Sequence, residues 1–283
     1  MRDGTSESLA IKAAEDLIKQ LCLDSDSLPR IGVVLGTGWG QALPWEEGVF
    51  ARIPMSGLPG FDFTHMRSLA GHDRQVVHGR IDGKSVIALQ GRIHLNEAPY
   101  DRDVARMVRL QVEMLIKLGV RTVILTAAAG SLKEEIVVGD IMVVDGFMSL
   151  FAPDMPLYAG EFCSPDDALD PELRKIAMAS VKEVSGKVHV GGYAMVRGPF
   201  FEGRRYDKPY LVATGASTVG MSSLPEACIA ALYAPDVKVL GLNFITNTAV
   251  EDHSHEVNQQ RARAKSGDMG RVLHGIISKL KVE

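Results

Sequence analysis

The chain has 283 residues, 46% of them hydrophobic and 23% charged, with a formal net charge of −4, the balance of an ordinary soluble globular protein. Acids and bases are interspersed and no Lys/Arg-rich run offers a track for nucleic acid, so that class of partner is not expected. Cys22, Cys163 and Cys228 are widely spaced and form no CxxC pair; free thiols in a reducing cytoplasm are expected, without a zinc ribbon or a disulfide framework.

The N-terminal segment carries charges throughout and lacks the apolar core of a signal peptide, and no apolar run is long enough to span a membrane. "SESLAIKAAEDLIKQL" repeats apolar residues every three or four positions, which predicts an amphipathic helix capped by Ser6 or Ser8. "RIGVVLGTGWG" predicts a buried strand feeding a glycine loop. "RQVVHGRIDGKSVIALQGR" predicts a hairpin turning at Asp82-Gly83. A helix follows over "DVARMVRLQVEMLIKLG", with Gly119 as its stop signal. "RTVILTAAAGSL" and "GDIMVVDGF" are two further apolar runs.

Beyond residue 150, "FAPDMPLYAGEFCSPDDALD" has no steady period and reads as a long ordered loop. A helix ("PELRKIAMASVKEV") and a strand ("HVGGYAMV") come next. "STVGMSSLPEACIAALYA" ends a strand at Met221 and opens a helix at Leu224-Pro225, where Pro suits the first turn. "VKVLGLNFITN" is the last strand, and 255–281 reads as one terminal helix. Helices and strands alternate around a hairpin, so the expected fold is α/β: one domain over residues 1–283 with a mixed, largely buried sheet.

In such sheets the chemistry sits on loops at strand ends. "LGTGWG" lacks the third glycine and the following acid of a dinucleotide loop and the Gly-Lys-Ser/Thr of a Walker loop. Its amides and the Thr37 hydroxyl remain suited to an anion, although a tight turn would need the same glycines. Arg92 and His94, two apart at a strand end, can face one side and offer a planar fork and a second donor to phosphate or carboxylate; two solvated side chains would fit as well. Ser222 precedes a helix start that favours anions, or simply caps it. His72 in "LAGHDR" is by itself an ordinary loop histidine.

"VRGPFFEGRRY" places Glu202 beside two phenylalanines just after a strand. A carboxylate there and the Asn247 carboxamide at another strand end can together read a ring edge. A 6-oxopurine presents an N1–H donor beside its O6 acceptor, which suits Glu202 and Asn247; adenine lacks the N1 proton. A salt bridge from Glu202 to Arg204 or Arg205 is the competing reading.

Taken in order, "VVLGTGWG", "AGHDRQVVHGRIDGKSVIALQGRIHLNE", "TVILTAAAGSLKEEIVVGDIM", "YAMVRGPFFE", "VGMSSLPEACIA" and "GLNFITN" resemble the purine nucleoside phosphorylases of the trimeric, low-molecular-mass kind over most of residues 31–250. The resemblance implies a partly barrel-like sheet flanked by helices. It also implies a pentosyltransferase that cleaves 6-oxopurine (deoxy)ribonucleosides with phosphate to free base and (deoxy)ribose 1-phosphate. Thr37, His72, Arg92, His94, Ala128 and Ser222 would hold phosphate. Tyr193, Met221 and His255, or its competitor His253, would border the ribose. Phe201 would stack on the base, and Glu202 and Asn247 would hold its edge; with His94 these two form the catalytic set. Phosphate would be a co-substrate and no cofactor or metal is implied. A cytoplasmic homotrimer with Phe162 reaching a neighbouring subunit completes the expectation.

Four positions depart from that family pattern: Ala127 for Asn, Asn96 for Tyr, Phe200 for Ser and Gly203 for Thr. They bear on ribose recognition. A methylthioadenosine phosphorylase, with Asp where Asn247 stands, and a non-catalytic nucleoside-binding protein are the alternatives.

Overall fold

The computed structural model describes residues 4–281 apart from 47, 65, 67–73, 99, 153, 199–202, 204 and 251–254; of residues 4–6, 151 and 255 it describes only the backbone. Its centre is a nine-stranded sheet ordered β2-β3-β4-β1-β5-β8-β7-β6-β9, and a further β5–β9 pairing closes the last five strands on themselves. The α/β class, the mixed sheet and the partly closed barrel of the sequence-based expectation are all present.

Strands β1 (Ile31–Leu35), β4 (Lys84–Gln90), β5 (Thr122–Ser131) and β9 (Lys238–Asn247) are mutually parallel along β4-β1-β5-β9. Apolar runs such as Ile31–Leu35 are buried on both faces, as expected of strands covered by helices on either side. The hairpin of β3 (Gln75–Ile81) and β4 turns at Asp82 and Gly83, whose φ of 49° and 69° match the paired left-handed residues of a tight hairpin turn. Edge strand β2 (Val49–Pro54) pairs antiparallel with β3 and had no clear signal in the sequence.

Register creates a step in this sheet. Pairing of β1 with β5 ends at Val34↔Leu125, whereas β5 continues to Ser131. Over that extension β5 keeps β9 on one side and gains the short antiparallel β8 (Thr218–Gly220) on the other. β8 then pairs parallel with β7 (His189–Val196), β7 with β6 (Ile141–Phe151), and β6 antiparallel with β9. β1 therefore ends beside the middle of β5, and β8 takes up its place further along, against Gly130 and Ser131.

Helices cover both faces. α1 (Gly4–Gln20) and α2 (Arg102–Leu118) pack on one side with α5 (Leu224–Ala231). α3 (Pro171–Ser185) and α7 (Ser266–Lys279) pack on the other. α1 begins before its apolar stripe, so Ser6 and Ser8 lie within the helix and neither is its cap. α2 starts with the Asp101 carboxylate accepting from the Asp103 N–H and stops at Gly119, φ 122°. The terminal segment is two helices, α6 (His255–Ala264) and α7, separated at Lys265. α4 (Asp207–Ala213), too short for periodicity to show, follows the "FFEGRRY" stretch.

The aperiodic segment after β6 is ordered by a buried cation. Arg109 of α2 holds both oxygens of Glu161 at 2.6 and 2.9 Å and the Glu113 carboxylate at 2.9 Å, and it lies over the Tyr158 ring. Burial opposes its charge, but the two carboxylates win and raise its pKa. Among the described residues no helix is long and apolar enough to cross a membrane.

Candidate functional site

The described parts of the loops singled out in the sequence lie around the step in β5. Gly36, at the end of β1, donates its N–H to the Thr126 hydroxyl, which in turn donates to the Val34 carbonyl. A Cβ on Gly36 would lie 2.4 Å from the Thr126 carbonyl oxygen and 3.0 Å from Arg92 Nη2, so only glycine allows this approach. Thr37 follows, half-buried, on the wall of a cleft of about 310 Å³ that it shares with Gln90, Gln259 and Arg263. Ala128 is a half-buried exception in a β5 that is otherwise buried from Val123 onward.

β4 stops at Gln90, and Gly91 at φ 83° turns the chain, so strand alternation does not extend to Arg92 and His94. Arg92 points inward and is fully buried. Its Nη1 donates to the Ser223 hydroxyl at 3.2 Å and to Glu226 at 3.0 Å, and its Nη2 donates to the Thr126 carbonyl. The fork that the sequence offered to an anion is thus engaged by the protein, with Glu226 of α5 as its counter-ion. His94 is half-buried at the start of a 3-10 turn, Leu95–Glu97. Glu97 accepts the His94 backbone N–H at 2.9 Å and pairs with Arg74. Burial raises the Glu97 pKa, and the His94 N–H and Arg74 oppose that shift.

Across the step, Tyr193 on β7 is fully buried and its hydroxyl accepts the Ser222 N–H at 3.0 Å. Burial pushes its pKa up to about 12, so the phenol stays neutral and keeps that bond. Ser223, at the N-terminal cap of α5, adopts φ 66° and joins Ser222 to the helix carrying Glu226. Met221 is half-buried beside them.

Asn247 closes the other end of the site. Its Oδ1 accepts from the Thr246 hydroxyl at 3.1 Å and from Asn258 Nδ2 of α6 at 3.3 Å. Thr246 shares its single hydroxyl proton with the Ala129 carbonyl at 3.3 Å, and together with Asn258 it orients the carboxamide so that Nδ2 is the donor side. That nitrogen lies 2.9 Å from where a Cβ on Gly130 would stand, so the glycine makes room for it. His72, Phe201, Glu202, Phe200 and His253 lie outside the described residues, as does the side chain of His255, which opens α6. Arg197 and Arg205 are exposed, and Arg205 lies over the ring of Tyr206.

Several participants had no role assigned from the sequence, where Asn96, Gly203 and Ala127 stood only as departures from the family pattern. Asn96 is buried and joins three segments: its Oδ1 accepts the Gly198 N–H at 3.0 Å and its Nδ2 donates to the Met221 carbonyl at 3.3 Å. It so connects the turn after His94 to the roots of the loops after β7 and β8. Glu226 had a signal, an acid in the first helical turn after "SSLP", but only burial identifies its partner. Gly203, another family departure, donates its N–H to Asp207 at the start of α4. Ala127 is buried and its carbonyl accepts from Trp39 Nε1 at 3.0 Å.

Comparison with known proteins follows the same geometry. A family model described as the phosphorylase superfamily matches residues 30–278. Purine nucleoside phosphorylase 1 of Bacillus subtilis is 30% identical over 91% of this chain and 94% of its own length. The purine nucleoside phosphorylase of Mycobacterium tuberculosis is 32% identical over 88% and 89%. Among solved structures, isoform 2 of purine nucleoside phosphorylase from Schistosoma mansoni, in complex with cytosine and ribose-1-phosphate, superposes with a TM-score of 0.80 at 27% identity, covering 98% of each chain. Agreement in the matched span, in relatives of nearly equal length and in the whole topology leads to one conclusion: the chain belongs to the phosphorylase superfamily, among the purine nucleoside phosphorylases, which are pentosyltransferases.

Proposed function

We propose that this chain catalyses reversible phosphorolysis of 6-oxopurine (deoxy)ribonucleosides such as inosine and guanosine, giving the free base and (deoxy)ribose 1-phosphate. The observation that carries the 6-oxo preference is the fixed carboxamide of Asn247, whose donor side is set by Thr246 and Asn258. Cleaving the glycosidic bond builds negative charge on the leaving purine, and a donor aimed at N7 grows stronger as that charge develops. Glu202 is assigned to N1–H and Phe201 to the ring face. Tyr193, Met221 and His255 border the ribose. The phosphate is assigned to Thr37, His72, His94, Ala128 and Ser222, with Arg92 supplying positive charge behind Ser223. The ribose-1-phosphate in the Schistosoma mansoni complex supports this product class.

The chemistry asks for phosphate as co-substrate and for no organic cofactor or metal. We place the enzyme in the cytoplasm, in keeping with three cysteines that are not disulfide-bonded. A homotrimer is also part of this reading: Phe162, 92% exposed, is available to a neighbouring subunit.

A coupled assay for hypoxanthine release from inosine tests the proposal. Release that depends on phosphate is expected. Cleavage of adenosine or methylthioadenosine but not inosine would overturn the 6-oxo reading, and no cleavage of any of them would favour a binding protein. Asn96 provides a second test. Asn96→Ala removes both ties to Gly198 and Met221 and is expected to cost about 1–3 kcal/mol of stability. It should also raise the KM for inosine more than the KM for phosphate, because both ties lead to base- and ribose-side loops. Equal KM changes would remove Asn96 from that role.

A further inference from the structure

Gln111 sits in the middle of α2, fully buried, where a long polar side chain is out of place unless both ends are satisfied. Both are. Its Oε1 accepts the Ile93 N–H at 3.0 Å and its Nε2 donates to the Ile93 carbonyl at 3.1 Å. This is the two-point pairing a neighbouring strand would have provided, supplied by a side chain because β4 has already ended at Gln90. Ile93 lies between Arg92 and His94. Its buried side chain packs in the core, so side chain and backbone of this residue are both held.

We propose that Gln111 is a positioning residue for the anion end of the site. It fixes the peptide units on either side of Ile93, so that Arg92 is aimed at Ser223 and Glu226 while His94 is placed at the start of the 3-10 turn. The inference rests on the proposed phosphorolysis, since it assigns Gln111 to phosphate and not to the nucleoside. Other described groups also hold this turn, Glu97 through the N–H of His94, the partners of Arg92, and Asn96 through Gly198 and Met221, but none of these bonds is made to the backbone of Ile93.

The test uses steady-state kinetics of the full chain with Gln111→Met and Gln111→Glu, varying phosphate and inosine separately. Gln111→Met keeps the length but removes both bonds. It is expected to raise the KM for phosphate about tenfold, the scale of one hydrogen bond, with the KM for inosine within twofold of wild type. Gln111→Glu makes the claim falsifiable should the Met variant not fold. A neutral carboxylic acid has a donor and an acceptor and restores both bonds, whereas the carboxylate loses the bond to the Ile93 carbonyl. Burial raises the carboxyl pKa toward neutrality. The ratio of variant to wild-type phosphate KM should therefore lie near one at the acidic end of the range and climb as pH rises. Arg92 with Glu226, His94, and Glu97 with Arg74 flank the segment in both proteins, so the ratio isolates residue 111. A flat ratio, or equal changes in both KM values, would overturn the role of Gln111. Loss of phosphate dependence in the wild type would instead overturn the phosphorolysis reading itself.

Discussion

Arg92→Ala is expected to lower the unfolding free energy by about 3–5 kcal/mol, the cost of leaving one partner of a buried ion pair alone. The side chains of Arg92 and Glu226 are only 1% and 2% exposed, so each charge relies on the other for compensation. Removing the guanidinium strands the Glu226 carboxylate at the start of α5 and leaves the Thr126 carbonyl and the Ser223 hydroxyl without the donor they share. Glu226→Ala should cost a similar amount for the opposite reason. Combining Arg92→Met with Glu226→Leu removes both charges and fills the space, so the pair should recover much of the loss. Activity should separate from stability in this series. If Arg92 places positive charge behind the anion, the double variant refolds without regaining phosphorolysis. Urea unfolding and the phosphate-dependent assay, run on all three proteins, check both parts. Single variants within about 0.5 kcal/mol of wild type, the range of ordinary surface changes, would mean that the pair is dispensable.

The sequence made the regular parts of this fold legible because they repeat. α2 shows its apolar stripe over four turns, and the β3–β4 hairpin shows two runs around Asp82-Gly83. What periodicity does not carry is length relative to a neighbour. β5 is six residues longer than its pairing with β1, from Thr126 to Ser131, and that step alone decides where the site forms. The same limit explains Arg92. Its place at the end of an apolar run was visible, but its direction depends on Gly91 ending the strand alternation and on Glu226, more than a hundred residues later, lying inside the core.

Asn96 and Gln111 illustrate a related point. Each bonds to backbone, so no charge complement or spacing marks the partner in advance. In Asn96 the departure from the family pattern was visible, but its role became clear only with the carbonyl of Met221 and the N–H of Gly198 in place. Residues that bind a substrate tend to sit on recognisable loops; those that hold the loops are found by asking where each buried backbone group finds its partner.

Asn247→Asp should retain the fold and lose the preference for a 6-oxopurine. The new carboxylate still accepts from Thr246 and Asn258 at Oδ1, so the neighbours that orient residue 247 are undisturbed. On the other side Nδ2 becomes an oxygen. Toward a 6-oxopurine this exchanges a donor to N7 or O6 for a repelling acceptor at the point where negative charge grows. Loss of one such donor lowers kcat by about 10²–10³, and that is the fall expected for inosine. A 6-aminopurine presents an N6–H donor to the same oxygen, so its cleavage should fall less or rise. Burial of residue 247 magnifies the contrast, since an unpaired polar group there has no water to turn to. The ratio of kcat/KM for inosine to that for adenosine is the quantity to measure, with thermal unfolding as a control for folding. A ratio unchanged from wild type would remove Asn247 from base recognition and shift the whole burden of selectivity to Glu202.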